Sequence, residues 1–431
     1  MKPFGKFFGP SLGPDFWKFR LGQLVSLLGN GCGTVALSWW ILDKTGSAKA
    51  IAEVLVPAMA LNLVLLPLLG PLGDNFSRKR LVVIADLGRF AVSGCMAGMF
   101  FSGFFNLSLL AGLYMAASIG TALFTSVESG IIPQLVGKRH LQTAFQQSFA
   151  LTSIGGVAGG IAGGLIVSFW GVGGAFIFNA ATYLTAGLSS NLIQASTTPR
   201  RKKQASAPRT LAFWKGELLD GFRILFRIPV LFWLSVVAMM INFGLAPLSV
   251  ALPVFAKLGK DMSAWYLGAL DSSLALGSIG GSLALNWIQG YWKGRALLIL
   301  STAMMGLGVL VLPWSPGLVV PLVALLGTGA GSSWANIQFY TQTALVIPDS
   351  HRSRFNSIIE FLCGGLSPLG VGAMSWVIAQ WSLSAALWSM GAIVLLLVPL
   401  LALIPKLQEL MEVRGAKAGG FLKKHYPEVA I

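Results

Sequence analysis

Apolar runs of about 20 residues recur along the whole chain, separated by short polar interruptions. An α-helix needs about that length to cross roughly 30 Å of hydrocarbon. The pattern therefore predicts spanning helices at 16–42, 48–72, 79–103, 107–134, 142–168, 173–195, 229–256, 263–289, 296–313, 317–347, 355–379 and 383–404. The short alternating segments that a membrane β-barrel requires are not evident. One interruption is long and polar, residues 196–228. It opens with a Thr-Thr-Pro-Arg-Arg-Lys-Lys stretch and closes with an amphipathic run from Trp214 to Arg227. The predicted organisation is a bundle of six spans (1–195), a linker (196–228), a second bundle of six (229–405) and a polar tail (406–431).

Composition agrees with lipid as the solvent. The 431 residues are 55% hydrophobic and only 11% charged, against about 25% charged in soluble domains. The net charge of +16 would suit nucleic acid, but its placement argues otherwise. The cations cluster in alternate loops: Arg78, Lys79 and Arg80; Lys138 and Arg139; Lys293 and Arg295; Arg352 and Arg354; and eight more in the linker. The opposite loops hold only Lys44, Lys49, Lys257 and Lys260. By the positive-inside rule both termini are expected in the cytoplasm, and nucleic acid is not an expected partner. Cys32, Cys95 and Cys363 lie far apart within apolar spans, without metal-ligand spacing.

The two halves echo one another. Span 4 ends Ile-Ile-Pro133 before a basic loop, and span 10 ends Val-Ile-Pro348 before another. Gly-rich stretches follow in span 5 (155–164) and span 11 (364–372), about 215 residues apart. Weak internal repeats of this kind mark transporter folds, with the substrate site near the midplane between repeats.

Ionisable residues inside spans are costly and point to function. Asp86 and Arg89 sit one turn apart in span 3 and can pair with each other. Glu128 lies near the end of span 4, Glu360 in span 11 and Asp271 in span 8. A carboxylate in a poorly solvated cavity can bind and release protons near neutral pH, so these are the proton-coupling candidates. No histidine lies inside a span, and no phosphate-binding Gly-Lys-Ser/Thr sequence occurs. Neither a histidine relay nor ATP is therefore expected. No nucleophile with its base and no metal set is present, which argues against an enzyme.

Two motifs remain. Gly70-Pro-Leu-Gly73-Asp74-Asn-Phe-Ser-Arg78-Lys79-Arg80 joins spans 2 and 3. Its cations anchor the turn at the surface. Asp74 can face the positive end of a helix or a cation, a contact able to hold one side closed and break when bundles rock. The corresponding stretch of the second half, Gly281 to Asn286, has Leu285 in place of the carboxylate. Span 5 carries Gly155, Gly159, Gly160, Gly163 and Gly164, a spacing that lets helices pack closely.

The first of these resembles the pattern G-x-L-[AG]-D-[RN]-x-[GS]-R-[RK] of the major facilitator superfamily. The second resembles that superfamily's antiporter motif G-x-x-x-G-P-x-x-G-G, with Gly160 where the family has proline. Phe19 to Gly29, Ser38-Trp39-Trp40, Thr45-Gly-Ser47, Gly221 to Pro229, and Pro348 with Arg352 and Arg354 are similar to the macrolide-efflux and enterobactin-type siderophore exporter branch. Span 4 departs from the drug antiporters in having Glu128 and no arginine.

The resemblance implies an all-α membrane protein of twelve transmembrane helices in two pseudo-symmetric six-helix bundles. It implies a monomeric, multi-pass protein of the bacterial inner membrane that exports a bulky amphipathic molecule by alternating access. The proton gradient would drive it, with no bound cofactor. Spans 1, 4, 7 and 10 would line the substrate cavity, offering Gln23, Asn30, Trp39, Asn242, Trp334, Asn336, Gln338 and Tyr340. Import, lipid translocation or uncoupled facilitation on the same fold, and a non-transporting sensor or scaffold, are the alternatives.

Overall fold

The computed structural model describes residues 12–69, 72, 76–136, 141–195, 225–292, 294–346, 349–412 and 425. Among these, the regular structure is helical and there is no strand, as lipid requires of a chain that must satisfy its own backbone hydrogen bonds. The first half comprises α1 (Pro14–Thr45), α2 (Ala48–Leu69), α3 (Arg78–Phe101), α4 (Leu107–Val136) and α5 (Leu141–Asn191). α5 is two crossings end to end. Gly171, at φ 72° and ψ 179°, leaves the helical region between its two arms, in a left-handed conformation that favours glycine.

The second half comprises α6 (Pro229–Leu245), α7 (Leu248–Val254), α8 (Ala264–Tyr291), α9 (Gly294–Leu310), α10 (Val319–Val346), α11 (Asp349–Gln380), α12 (Leu383–Leu403) and a short α13 (Leu407–Met411). α7 runs directly into a π-helical turn, Phe255–Gly259. With the arms of α5 counted separately and α6, α7 and the π turn taken as one crossing, the described residues make twelve crossings. Local signals set several ends. Pro14 and Pro229 open α1 and α6, where the missing N–H is no loss. Ser382 caps α12, its hydroxyl accepting from the Ala385 N–H at 3.0 Å.

The same packing pairs recur in the two halves. α1 packs on α5, α3 on α4 and α3 on α5; α6 packs on α11 and α12, α9 on α10 and α9 on α12. The chain divides into two compact units, one of residues up to 203 together with Leu252–Ser272, the other of Gln204–Ala251 and Ser273–Ile431. The division thus falls within α7 and α8 rather than only at the linker. In the first unit Phe16, Phe19, Leu81, Val82, Val127 and Ile131 form a core. In the second, Leu231, Leu234, Leu298, Leu397 and Leu401 do so, and Leu407 and Leu410 of α13 are buried among them. The apolar core therefore continues past the end of the last span into the first residues of the expected tail.

Gly70, Gly73 and Asp74, residues 196–224 of the linker and most of the tail lie outside the described residues. Arg78 opens α3, Lys79 donates to the Ile193 carbonyl at 2.8 Å, and Arg80 is exposed. Asp15 accepts from the Gln194 and Ala195 backbone at 3.0 and 2.8 Å. The starts of α1 and α3 and the end of α5 are therefore tied together.

Candidate functional site

Glycine brings α1 against the first arm of α5. A Cβ on Gly31 would lie 2.4 Å from the carbonyl carbon of Gly159, and one on Gly163 would lie 2.9 Å from the Gly31 oxygen. Those are backbone contacts that cannot yield, so a side chain would force the helices apart. Gly155 closes the same face against Leu27. Gly160 and Gly164 point to a second neighbour, the Leu252–Ser272 segment. A Cβ on Gly164 would meet the Ala264 oxygen at 2.9 Å, and one on Gly160 would meet Ser272 Oγ at 3.0 Å. Ser272 donates to the Val157 carbonyl at 3.3 Å, and the Trp265 N–H donates to Ser168 Oγ at 3.0 Å. Beyond this seam Lys257, in the π turn, pairs with Asp43 at 2.7 Å and lies 4.8 Å from the Trp39 ring centre.

Two of the first unit's ion pairs involve the carboxylates singled out in spans 3 and 4, and they differ in solvent access. Asp86 is fully buried and Arg89 nearly so. Arg89 donates to Asp86, and Gln23 Nε2 donates to its other oxygen at 3.4 Å. The Arg89 guanidinium also lies 4.9 Å from the Phe124 ring centre and 4.5 Å from that of Tyr183, a favourable site for a desolvated cation. The second pair joins α1 to α4. Arg20, 3% exposed, donates to Glu128 Oε1 at 2.5 Å, while Glu128 is 29% exposed. Arg20 also donates to the Ser148 carbonyl at 2.8 Å and to Thr152 Oγ1 at 3.2 Å. Glu128 has no cation near it in sequence; the fold supplies Arg20, 108 positions away.

Asp271 differs from both. It stands on α8 beside Gly160, half-buried, and no described residue offers it a hydrogen bond or an ion pair. The side chain of Glu360 lies outside the described residues.

The first unit also carries a half-open cavity of about 350 Å³. α1 contributes Asn30, Gly33, Thr34 and Leu37; α2 Ala58, Met59 and Asn62; α3 Ser93 and Met96; α4 Tyr114, Ala117, Ser118 and Thr121; the second arm of α5 Phe176, Asn179 and Tyr183. Tyr183 donates its hydroxyl to Asn30 Oδ1, and Asn179 Nδ2 donates to Ser93 at 3.3 Å. The Asn179 amide fits against α1 only because Gly29 and Gly33 carry no side chain there.

Of the cavity residues expected from sequence, Asn30 lines this space. Gln23 instead serves Asp86, and Trp39 stands over Lys257. In the second unit, Trp334 is buried with Leu285, Leu297 and Ala330, and its indole donates to the Gly281 carbonyl at 2.7 Å. Gln338 turns back to the Trp334 carbonyl at 3.4 Å. Asn242 and Asn336 are exposed and donate to carbonyls of their own helices, each at 2.9 Å; Tyr340 is also exposed. Sequence reasoning passed over Arg20, Asn62, Tyr114, Asn179 and Tyr183. Arg20 carried a usable signal, a cation already well inside the first helix.

The chain is similar to known transporters along most of its length. It is 23% identical to Macrolide efflux protein A of Streptococcus pyogenes over 365 residues, covering 83% of this chain and 87% of that one. It is 25% identical to Multidrug efflux pump Tap of Mycolicibacterium fortuitum over 404 residues, covering 90% and 95%. Among solved structures, the nucleoside transporter NupG superposes with a TM-score of 0.74 at 13% identity, over 93% of this chain and all of the other. A bacterial homologue of the iron transporter ferroportin, in its inward-facing state, gives 0.70 at 15% identity, over 93% and 99%. The family model described as Major Facilitator Superfamily matches residues 20–367. On that match, which spans most of both halves, the chain is a multi-pass membrane transporter belonging to the Major Facilitator Superfamily.

Proposed function

We propose that the protein exports an amphipathic small molecule by alternating access, driven by inward movement of protons. The observation that carries the direction is the match over most of the chain to two relatives named as efflux proteins. The loop charges support termini in the cytoplasm, and the monomer is the functional unit. Coupling requires a carboxylate whose proton affinity differs between the two end states of the cycle. Asp271, without a hydrogen-bond or ion-pair partner among the described residues, and Glu128, partly exposed on one ion pair, have the access such a role needs. Asp86, sealed between Arg89 and Gln23, serves structure instead. The Gly160–Gly164 face and the Asp43–Lys257 pair are the contacts that give way as the cycle turns.

The test uses inside-out vesicles with an imposed pH gradient and radiolabelled chloramphenicol, a compact amphipathic molecule. Uptake that collapses with an uncoupler, and that Glu128→Gln/Asp271→Asn abolishes, is the expected result. Uptake indifferent to the gradient overturns the driving force, and accumulation only in right-side-out vesicles overturns the direction.

A further inference from the structure

We propose that the cavity inside the first unit is a binding site for an uncharged, hydrogen-bond-donating small molecule with an apolar body. No Lys, Arg, His, Asp or Glu lines it. The nearest charges, Asp86 and Arg89, neutralise each other, and the Tyr183 ring covers the guanidinium. A charged ligand would lose part of its hydration there and gain no counter-ion. An uncharged one meets no such barrier.

Three hydroxyls on the polar wall are left as acceptors. Thr34, Ser118 and Thr121 spend their hydroxyl protons on carbonyls of their own helices, at 3.0, 2.7 and 3.2 Å. Each is left facing the cavity as an acceptor. The Tyr114 hydroxyl, on the cavity wall, has no partner among the described residues. A ligand bearing O–H or N–H groups supplies donors to these hydroxyl oxygens. Leu37, Met59, Met96 and Phe176 form the apolar side, where flexible methionines and an aromatic ring accommodate varied shapes. At about 350 Å³ the space is at the small end of the range of about 300–1,000 Å³ for ligand sites. It fits a compact molecule rather than a macrocycle.

Taken with the exporter reading, on which only this consequence rests, uncharged donors become the substrate class. Binding is tested apart from transport, by calorimetric titration of the full-length protein in lipid nanodiscs. The probes are chloramphenicol, an uncharged nitrophenyl diol with an amide N–H, and its deacylated amine, the same skeleton carrying a cation. Chloramphenicol is expected to bind at least tenfold more tightly than the amine. Tyr114→Phe, which removes one oxygen and keeps the ring, weakens it about three- to tenfold. Ala117→Leu, which fills the cavity, weakens it further. Absence of chloramphenicol binding, equal binding of the amine, or binding unchanged in both variants overturns the proposal. Equal binding with gradient-driven transport of the amine removes the uncharged class and leaves the exporter standing. Selective binding of chloramphenicol without gradient-driven transport supports the site and removes the exporter.

Discussion

Neutralising Asp86 and neutralising Glu128 should have very different consequences for stability. Asp86→Asn leaves the Arg89 guanidinium, 3% exposed, with no counter-charge. Breaking a buried pair from one side costs about 3–5 kcal/mol. The Phe124 and Tyr183 faces offset part of that, about 0.5–2 kcal/mol for a cation over aromatic rings. A net loss of about 3 kcal/mol is expected. Glu128→Gln removes charge from a side chain 29% exposed, where solvent screens much of the interaction. Arg20 keeps its bonds to Ser148 and Thr152, and the glutamine oxygen can still accept. A loss of about 1 kcal/mol is expected from screening and the retained bonds. The difference, about 2 kcal/mol, is roughly a thirtyfold change in the unfolding equilibrium. Reversible unfolding in mixed dodecyl maltoside and sodium dodecyl sulfate micelles, followed by far-ultraviolet circular dichroism, measures it. Replacing both Asp86 and Arg89 by leucine should recover much of the single-variant loss, since a buried pair can be exchanged for apolar packing. The reasoning fails if Asp86→Asn is no more damaging than Glu128→Gln.

Other substitutions read the packing directly. Gly159→Ala puts a methyl 2.9 Å from the Leu27 carbonyl oxygen and should cost about 1–3 kcal/mol in the same assay. Gly156→Ala, one turn from it and with nothing within 4 Å, should be neutral or stabilising by up to about 1 kcal/mol. Trp334→Phe removes the 2.7 Å bond to the Gly281 carbonyl and should cost about 1–2 kcal/mol; an unchanged unfolding midpoint would mean that carbonyl finds another donor. Asp43→Asn breaks the Lys257 pair, but Asp43 is 59% exposed, so stability should fall by less than about 1 kcal/mol. Added salt should shrink the effect.

The amino-acid pattern by itself determined the membrane crossings and their number, because lipid imposes a length and a polarity that only helices of about 20 apolar residues meet. It also revealed the repeat, the superfamily motifs and a possible Asp86–Arg89 pair, since three residues on one helix are neighbours wherever the helix goes. Small residues at four-residue spacing in span 5 announced close packing, but not against which helices. Tertiary structure decided that Gly159 and Gly163 receive α1 while Gly160 and Gly164 receive the start of α8. It also gave Glu128 a partner 108 positions away and left Asp271 without one among the described residues. It turned Trp334 inward to a carbonyl and grouped Tyr114, Asn62, Asn179 and Tyr183, from three helices, around one cavity. Helix formation is set by local length and polarity, which any stretch of sequence carries within itself. The rotation of each helix about its axis, and so the partner each polar side chain meets, is set by contacts with residues far away in the chain.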